Sequence, residues 1–370
     1  MVLFTPTLAA IKARWPRSRI TLVVRRAGVG QVVFGGPLVD QVIESPSCAG
    51  WSQRLGEVLK AFGKYDIVIS PVPLYHTYTE LLLNFGGARH RIGMTLPQHE
   101  PGLLESRRTC SVVFRDDQHE VENYFRLLEP LGISGDSLSD VRPQVVIDER
   151  AATDTDAWIR KASLDKDPII ALHVGSHPDQ HGKCLPSESF ARILAGIESS
   201  KRGRAVILSG PDDLSHVEQL LALIPHKVDV FRHAQIGHVA SFLASCSAVI
   251  ANDSGPMHLA AAVGTPVVGI FGPTSPIKNS PWAMKNRARV VRMNIGCSPC
   301  YVIGGSIQCS PRRCLEDLPA SWVLDALDDL LGQNHEEDGP WGVASHAPRG
   351  GPVEAIGPPT RGVETRDQTN

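Results

Sequence analysis

Short apolar runs alternate with amphipathic stretches along most of this chain, a rhythm that predicts strands joined by helices. Residues 20–24 and 66–70 read as strands, and 6–15, 78–85 and 121–129 as helices, the last stopped by Pro130. A polar stretch at 136–154, interrupted by Pro143 and one extended run at 145–147, reads as the connection between two domains. Beyond it the pattern predicts a helix at 156–163, strands at 169–174 and 205–209, and helices at 189–199, 214–224 and 239–244. The expected fold is α/β, with domains over 1–150 and 151–332. Their parallel sheets should be covered on both faces and open to ligands at the C-terminal ends of the strands. Residues 333–370, rich in Gly, Pro and charge without periodicity, read as a disordered tail.

Residues 248–276 carry the clearest local signal. An apolar strand, AVIA, runs into Asn252, Asp253, Ser254 and Gly255, which are turn and capping residues, and Pro256 has the fixed φ of a first helical turn. A helix beginning there presents free backbone N–H groups and a positive dipole end beyond the strand, an arrangement suited to phosphate. His258 falls in that first turn and adds a ring donor. Gly264 and Pro266 end the helix, and residues 267–271 form the next buried strand. An ordinary, well-capped βαβ unit has the same pattern.

A second loop, after the strand at 169–174, contains Gly175, Ser176 and Lys183. Ser176 supplies a hydroxyl and Lys183 a mobile ammonium, and a parallel sheet would bring both to the edge that carries Asp253 and His258. Asp212 and Asp213 follow the next strand. Asp213 is either a ribose contact or the cap of the helix that begins near Leu214.

Composition narrows the function. The 370 residues are 42% hydrophobic and 21% charged, as in globular proteins, and a net charge of −2 gives no pull toward nucleic acid. No apolar run approaches the roughly 20 residues of a membrane span, and no signal-like segment follows Met1, so a cytoplasmic protein is expected. Arg14, Arg17, Arg19, Arg25, Arg26, Arg89, Arg91, Arg107 and Arg108 gather in the first third. They form either scattered solvated faces or a surface that meets an anionic lipid or sugar phosphate.

Four of the eight cysteines, Cys297, Cys300, Cys309 and Cys314, cluster within eighteen residues. Their spacing admits a tetrahedral thiolate metal site, although the second pair is four residues apart where a zinc knuckle has two. Asp154, Thr155 and Asp156 form a DxD of the sort that holds a divalent ion against a diphosphate. Placed just before a helix, they read better as caps. His173, His177 and His181 give no defined ligand geometry, and His177 reads at most as a donor contact.

Together, Lys183 with Pro186, the run from Asn252 to His258, the Gly272-Pro273-Thr274-Ser275-Pro276 turn and the cysteine segment after Gly296 resemble glycosyltransferase family 9. That family contains the ADP-heptose:lipopolysaccharide heptosyltransferases. The resemblance extends from Met1 to about Leu331. In the first half it is carried by the run 87–93 and by His119, Glu120 and Val121.

The resemblance implies a GT-B fold, two Rossmann-like domains facing across a cleft, the second holding the nucleotide-sugar and the first the acceptor. It implies inverting transfer of a heptose from ADP-heptose to the lipopolysaccharide inner core, with no metal and no cofactor. The acceptor would be a lipid-linked oligosaccharide, met by peripheral contact with the inner face of the cytoplasmic membrane. The donor diphosphate falls to Lys183, Ser254, Gly255 and His258, with Asp253 at the donor sugar or ordering the turn. Similar cysteines recur in one branch of the family without a metal being required for transfer. The family's catalytic aspartate belongs to a Gly-Asp pair directly before a stretch like 2–6. In this numbering it would precede Met1, as would the first strand. The expectation is therefore either a start upstream of Met1 or a nucleotide-sugar-binding paralogue without efficient transfer.

Overall fold

The computed structural model describes residues 1–332, apart from 25–27, 34–35, parts of 46–61, 72–76, 86, parts of 98–106, parts of 136–141, 177, 285 and parts of 303–308, together with 341–343. In the first part of the chain α1 (Thr5–Arg14) leads to β1 (Thr21–Val24) and β2 (Gln41–Glu44). There follow β3 (Ile67–Ser70), α2 (Thr77–Phe85), β4 (His90–Thr95), β5 (Cys110–Val113) and α3 (Glu120–Arg126). β1 and β2 pair in parallel, and β3, β4 and β5 form a separate parallel sheet in that order.

The second part runs α4 (Glu149–Lys161), β6 (Ile169–His173), α5 (Ser187–Ser199), β7 (Arg204–Ser209), α6 (Leu214–Leu223), β8 (Asp229–Arg232) and α7 (Ile236–Ala244). It continues with β9 (Ala248–Asn252), α8 (Gly255–Ala262), β10 (Val267–Phe271), α9 (Pro276–Asn279), β11 (Trp282–Met284), β12 (Ala288–Arg292), α10 (Arg313–Glu316) and α11 (Ala320–Leu331). Six of its strands form one parallel sheet, in the order β12-β10-β9-β6-β7-β8.

Side chains alternate across this sheet, and both faces are dry. Ile170, Leu172, Ile207, Ile250 and Ile270 face Phe190, Ile193, Ile197, Val323 and Leu327 of α5 and α11. Ala171, Val206, Leu208, Val249 and Ala251 face Phe242, Leu243 and Met257 of α7 and α8. Trp158 of α4 closes that second layer edge-on to Phe231 and Phe242, with ring centroids at 5.0 and 5.7 Å. The strand order reverses between β6 and β9, so their C-terminal loops diverge and leave a crevice, the usual ligand position in an open parallel sheet.

The two parts of the chain meet along a seam. His119 is the N-cap of α3: its Nδ1 accepts from Val121 N–H at 3.2 Å, and Glu122 completes a capping box by accepting from His119 N–H at 2.7 Å. Its Nε2 then carries the proton and donates to the Ser280 carbonyl at 2.8 Å, while its ring lies 4.8 Å from Trp282. Leu3, Val121 and Trp282 bury together beside it, and Lys278 pairs with Asp116 at 2.8 Å.

Several expectations change. α4 begins at Glu149, capped by Asp148, whose carboxylate accepts from Ala151 N–H at 2.7 Å. The DxD therefore lies in mid-helix and caps nothing; Asp154 pairs with His238 at 3.1 Å. Arg108 is no surface cation, because its guanidinium forms a buried ion pair with Glu80. Arg25, Arg26, His177 and nearly all of 333–370 lie outside the described residues. The exception in the tail, β13 (Trp341–Val343), pairs antiparallel with β11. Among the described residues no helix is long and apolar enough to cross a membrane.

Candidate functional site

The crevice between β6 and β9 gathers the side chains that the two loops were expected to supply. Asn252, at the end of β9, fixes the crevice from inside. Its amide donates to the carbonyls of Val174 at 2.9 Å and Gly175 at 3.3 Å, and its oxygen accepts from Leu185 N–H at 3.0 Å. This fully buried amide ties the β9 turn to both ends of the Lys183 loop, so Asn252 is a strut and not a cap. Glycine is required at 175 because a Cβ there would sit 1.9 Å from Asp213 Oδ1.

Lys183 is only 7% exposed, an unusual state for a lysine. Its ammonium lies 3.5 Å from Asp253 Oδ2 and 4.8 Å from the centre of the Tyr301 ring. Tyr301 is held by its N–H donating to Pro273 O at 2.8 Å and by Gln180, whose amide donates to its hydroxyl at 3.2 Å. Asp253 also accepts from Asn279 at 3.3 Å and lies 4.0 Å from His258 Nε2. A cation is thus positioned beside the N-terminus of α8. Burial lowers His258 to about 4, against the opposing charge of Asp253, so its ring is neutral near pH 7. Its Nδ1 is buried with no hydrogen-bond partner among the described residues. Ser176 is buried on the adjoining loop, and Gly255 is exposed at the first helical position.

Ser254 occupies the N-cap of α8 yet makes no side-chain cap. Its hydroxyl instead meets His173 Nδ1 at 3.0 Å, and His173 Nε2 meets Asp213 Oδ2 at 3.1 Å. Asp213 accepts from Gly210 N–H at 3.0 Å as well, and its side chain does not cap α6. Burial would raise its carboxyl, but the bond and charge of His173 outweigh that and hold it below its ordinary value.

Across the crevice, Phe114, Glu120 and Tyr124 line a cleft with Gln180, Lys183, Ser275, Lys278, Asn279 and Tyr301. Glu120 follows the cap residue but leaves the capping to Glu122; it accepts from the Tyr124 hydroxyl at 3.1 Å. Burial raises its carboxyl, opposed by the Tyr124 bond and assisted by the charge of Asp253.

The cysteine segment contributes to the site through Tyr301. Cys297, Cys300 and Cys309 are exposed and Cys314 is buried. Among the described residues no three His, Cys, Asp or Glu side chains are grouped so as to hold a metal ion.

Residues 53–310 match the model of glycosyltransferase family 9 (heptosyltransferase). The chain belongs to that family and is a glycosyltransferase. It is 26% identical to lipooligosaccharide heptosyltransferase 2 of Haemophilus influenzae over 362 residues, which covers 84% of this chain and 99% of the relative. It is 24% identical to lipopolysaccharide heptosyltransferase 3 of Escherichia coli over 298 residues, covering 76% and 82%. A more similar stretch, 37% over 93 residues, matches lipooligosaccharide heptosyltransferase 2 of Campylobacter jejuni but spans only 25% of this chain and 28% of that protein.

Among solved structures, the family 9 glycosyltransferase from Veillonella parvula superposes with a TM-score of 0.73 at 26% identity, covering 90% of this chain and 94% of that one. The E. coli ADP-heptose lps heptosyltransferase II superposes with a TM-score of 0.68 at 22% identity, covering 90% and 95%, and shows the shared fold. The expected GT-B fold is thereby found.

Several members of the site were not anticipated from sequence. Tyr301 directly follows the CxxC, a position with no chemical signal of its own. Glu120 was legible only as part of a family motif. The role of Asn252 and the link from His173 to Ser254 need the sheet register, which brings residues 81 apart in sequence into contact.

Proposed function

We propose that this chain transfers a heptose from ADP-heptose to a lipid-linked lipopolysaccharide core, with inversion at the anomeric carbon and without a metal ion. The observation that carries this reading is the buried Lys183 ammonium, set against Asp253 and Tyr301 beside the N-terminus of α8 at the strand-order reversal. As the bond between the anomeric carbon and the diphosphate breaks, its electron pair moves onto ADP. A fixed ammonium and a helix N-terminus stabilise that charge more than they stabilise the ground state. The unpartnered Nδ1 of His258 is a further polar atom for the bound nucleotide-sugar. The matched relatives, named as lipooligosaccharide and lipopolysaccharide heptosyltransferases, support the choice of sugar and acceptor.

On the acceptor side, Glu120 is the carboxylate that lines the cleft. We assign it to an acceptor hydroxyl. Acceptor binding takes place at the inner face of the cytoplasmic membrane by peripheral contact, while the 151–332 portion holds the donor and the 1–150 portion the acceptor.

The test is ADP release from ADP-heptose in the presence of lipopolysaccharide lacking heptose. Release that requires the acceptor and is unchanged by EDTA is expected. ADP binding without release would favour a nucleotide-sugar-binding protein, and loss of release on chelation would contradict metal-independent transfer.

A further inference from the structure

Three polar side chains run in series behind the diphosphate turn: Asp213, His173 and Ser254, at 3.1 and 3.0 Å. Asp213 and His173 are 7% and 2% exposed. The order of donors along this chain decides what Ser254 can offer a ligand. An ionised carboxylate only accepts, so His173 Nε2 must carry a hydrogen. If the ring is neutral, Nδ1 is then a lone pair, and the Ser254 hydroxyl spends its only hydrogen on it. Such a serine turns oxygen lone pairs toward an anion at the start of α8, which is repulsive. If His173 is doubly protonated, Nδ1–H donates to Ser254 Oγ, and the serine hydrogen is free to point at the anion.

We propose that Asp213, His173 and Ser254 form a relay that is doubly protonated at His173 in the donor complex, so that Ser254 donates to the leaving diphosphate. The inference rests on the donor reading above. The step is one proton uptake: when the apo ring is neutral, a proton from solvent forms the His173 Nδ1–H bond, and the imidazolium is balanced by the Asp213 carboxylate. His173 touches no substrate and is a positioning residue.

Two features favour the relay over an ordinary cap. Ser254 holds the N-cap position with extended backbone, φ −153° and ψ 167°, yet its hydroxyl leaves the helix N–H groups uncapped and turns to His173. Asp213 is in turn locked, since Gly175 gives it room that any Cβ would fill and Gly210 N–H fixes its second contact. The other charged or titratable groups around the relay are His216 on α6, Cys184, Lys183 and Arg312 on the flanking loops, and Asp253 and His258 on the β9 turn and α8.

The decisive measurement is the 15N NMR spectrum of histidine-labelled protein saturated with ADP-heptose, whose diphosphate has no group titrating near pH 7. Two ring N–H groups on His173 are expected in the complex. Wild-type affinity for ADP-heptose is expected to decline with rising pH, and Ser254→Ala, a half-buried position that should not disturb folding, is expected to weaken binding about tenfold and to remove that decline. A complex in which His173 keeps one N–H overturns the relay, as does a Ser254→Ala variant that binds like wild type with an unchanged pH profile. Failure of wild-type protein to bind ADP-heptose would instead overturn the donor reading itself.

Discussion

On the proposed donor side of the cleft, Lys183, Asp253, Asn252, His173, Asp213 and Ser254 are all held by protein partners, and Asn252 ties three backbone segments together. Across the cleft the first part of the chain offers Glu120, whose carboxylate has one hydrogen bond among the described residues, from Tyr124. The contrast follows from the supporting sheets. A six-stranded parallel sheet, buried on both faces, fixes the ends of β6 and β9, whereas the opposite wall rests, among the described residues, on parallel sheets of two and three strands. On the proposed function, a donor site that stabilises one invariant leaving group gains from preorganisation, because its dipoles need no rearrangement as charge develops.

Removing the positioned cation should break the contrast most severely. Lys183→Ala is expected to lower kcat/KM for ADP release by 10² to 10³, about 3–4 kcal/mol of transition-state stabilisation. Lys183→Arg should recover only part of it, because the slot between Asp253 and Tyr301 fits an ammonium. A Lys183→Ala enzyme within threefold of wild type would remove the donor side's advantage.

Packing comes next. Gly175→Ala forces a methyl into the Asp213 carboxylate and should cost about 2–3 kcal/mol in urea unfolding. Gly255→Ala, with no atom within 4 Å of its Cβ, should stay within about 0.5 kcal/mol. Equal costs at the two positions would show that the crevice is not rigid.

The seam between the two sides should respond to acid. Burial lowers His119 to about 3, with the Ser280 bond opposing and His258 assisting, and lowers His258 to about 4, both from 6.5. Between those values and 6.5 the unfolded chain binds protons that the fold excludes. Stability is therefore complete above about pH 6.5 and falls as pH drops toward 4, by about 1.4 kcal/mol per pH unit for each histidine. Unfolding curves at several pH values should show this slope, and His119→Gln should remove its share. The smallest effect belongs to the Lys278–Asp116 pair, whose carboxylate is exposed: Asp116→Asn should change stability by less than about 0.5 kcal/mol.

The donor side was also the more legible part in sequence. Residues 248–271 announced strand, turn, helix and strand because apolar runs and Gly-Pro punctuation coincide there, and Lys183 was placed at the same edge by the logic of parallel sheets alone. What stayed hidden depended on long-range register. Asp213 reads as a ribose contact or a cap, while its side-chain partner, His173, lies 40 residues earlier on the neighbouring strand. The run Asn252 to Gly255 read as a capping turn, because Asn and Ser cap helices often; here both side chains are drawn away by β6 and its loop. Strands such as β4, HRIGMT, and β5, CSVV, are short and mixed with polar residues, so their apolar pattern is weak. The DxD misleads because α4 begins at Glu149, seven residues before the start that its sequence pattern suggests.

On the proposed function, the β6 and β9 loops hold the nucleotide diphosphate and the opposite wall does not. Titrating ADP into wild type, Lys183→Ala and Glu120→Gln tests it directly. At least a tenfold loss of affinity, about 1.4 kcal/mol, is expected for Lys183→Ala, and a change of less than twofold for Glu120→Gln. Unaltered ADP affinity in Lys183→Ala, or a comparable loss in Glu120→Gln, would contradict it.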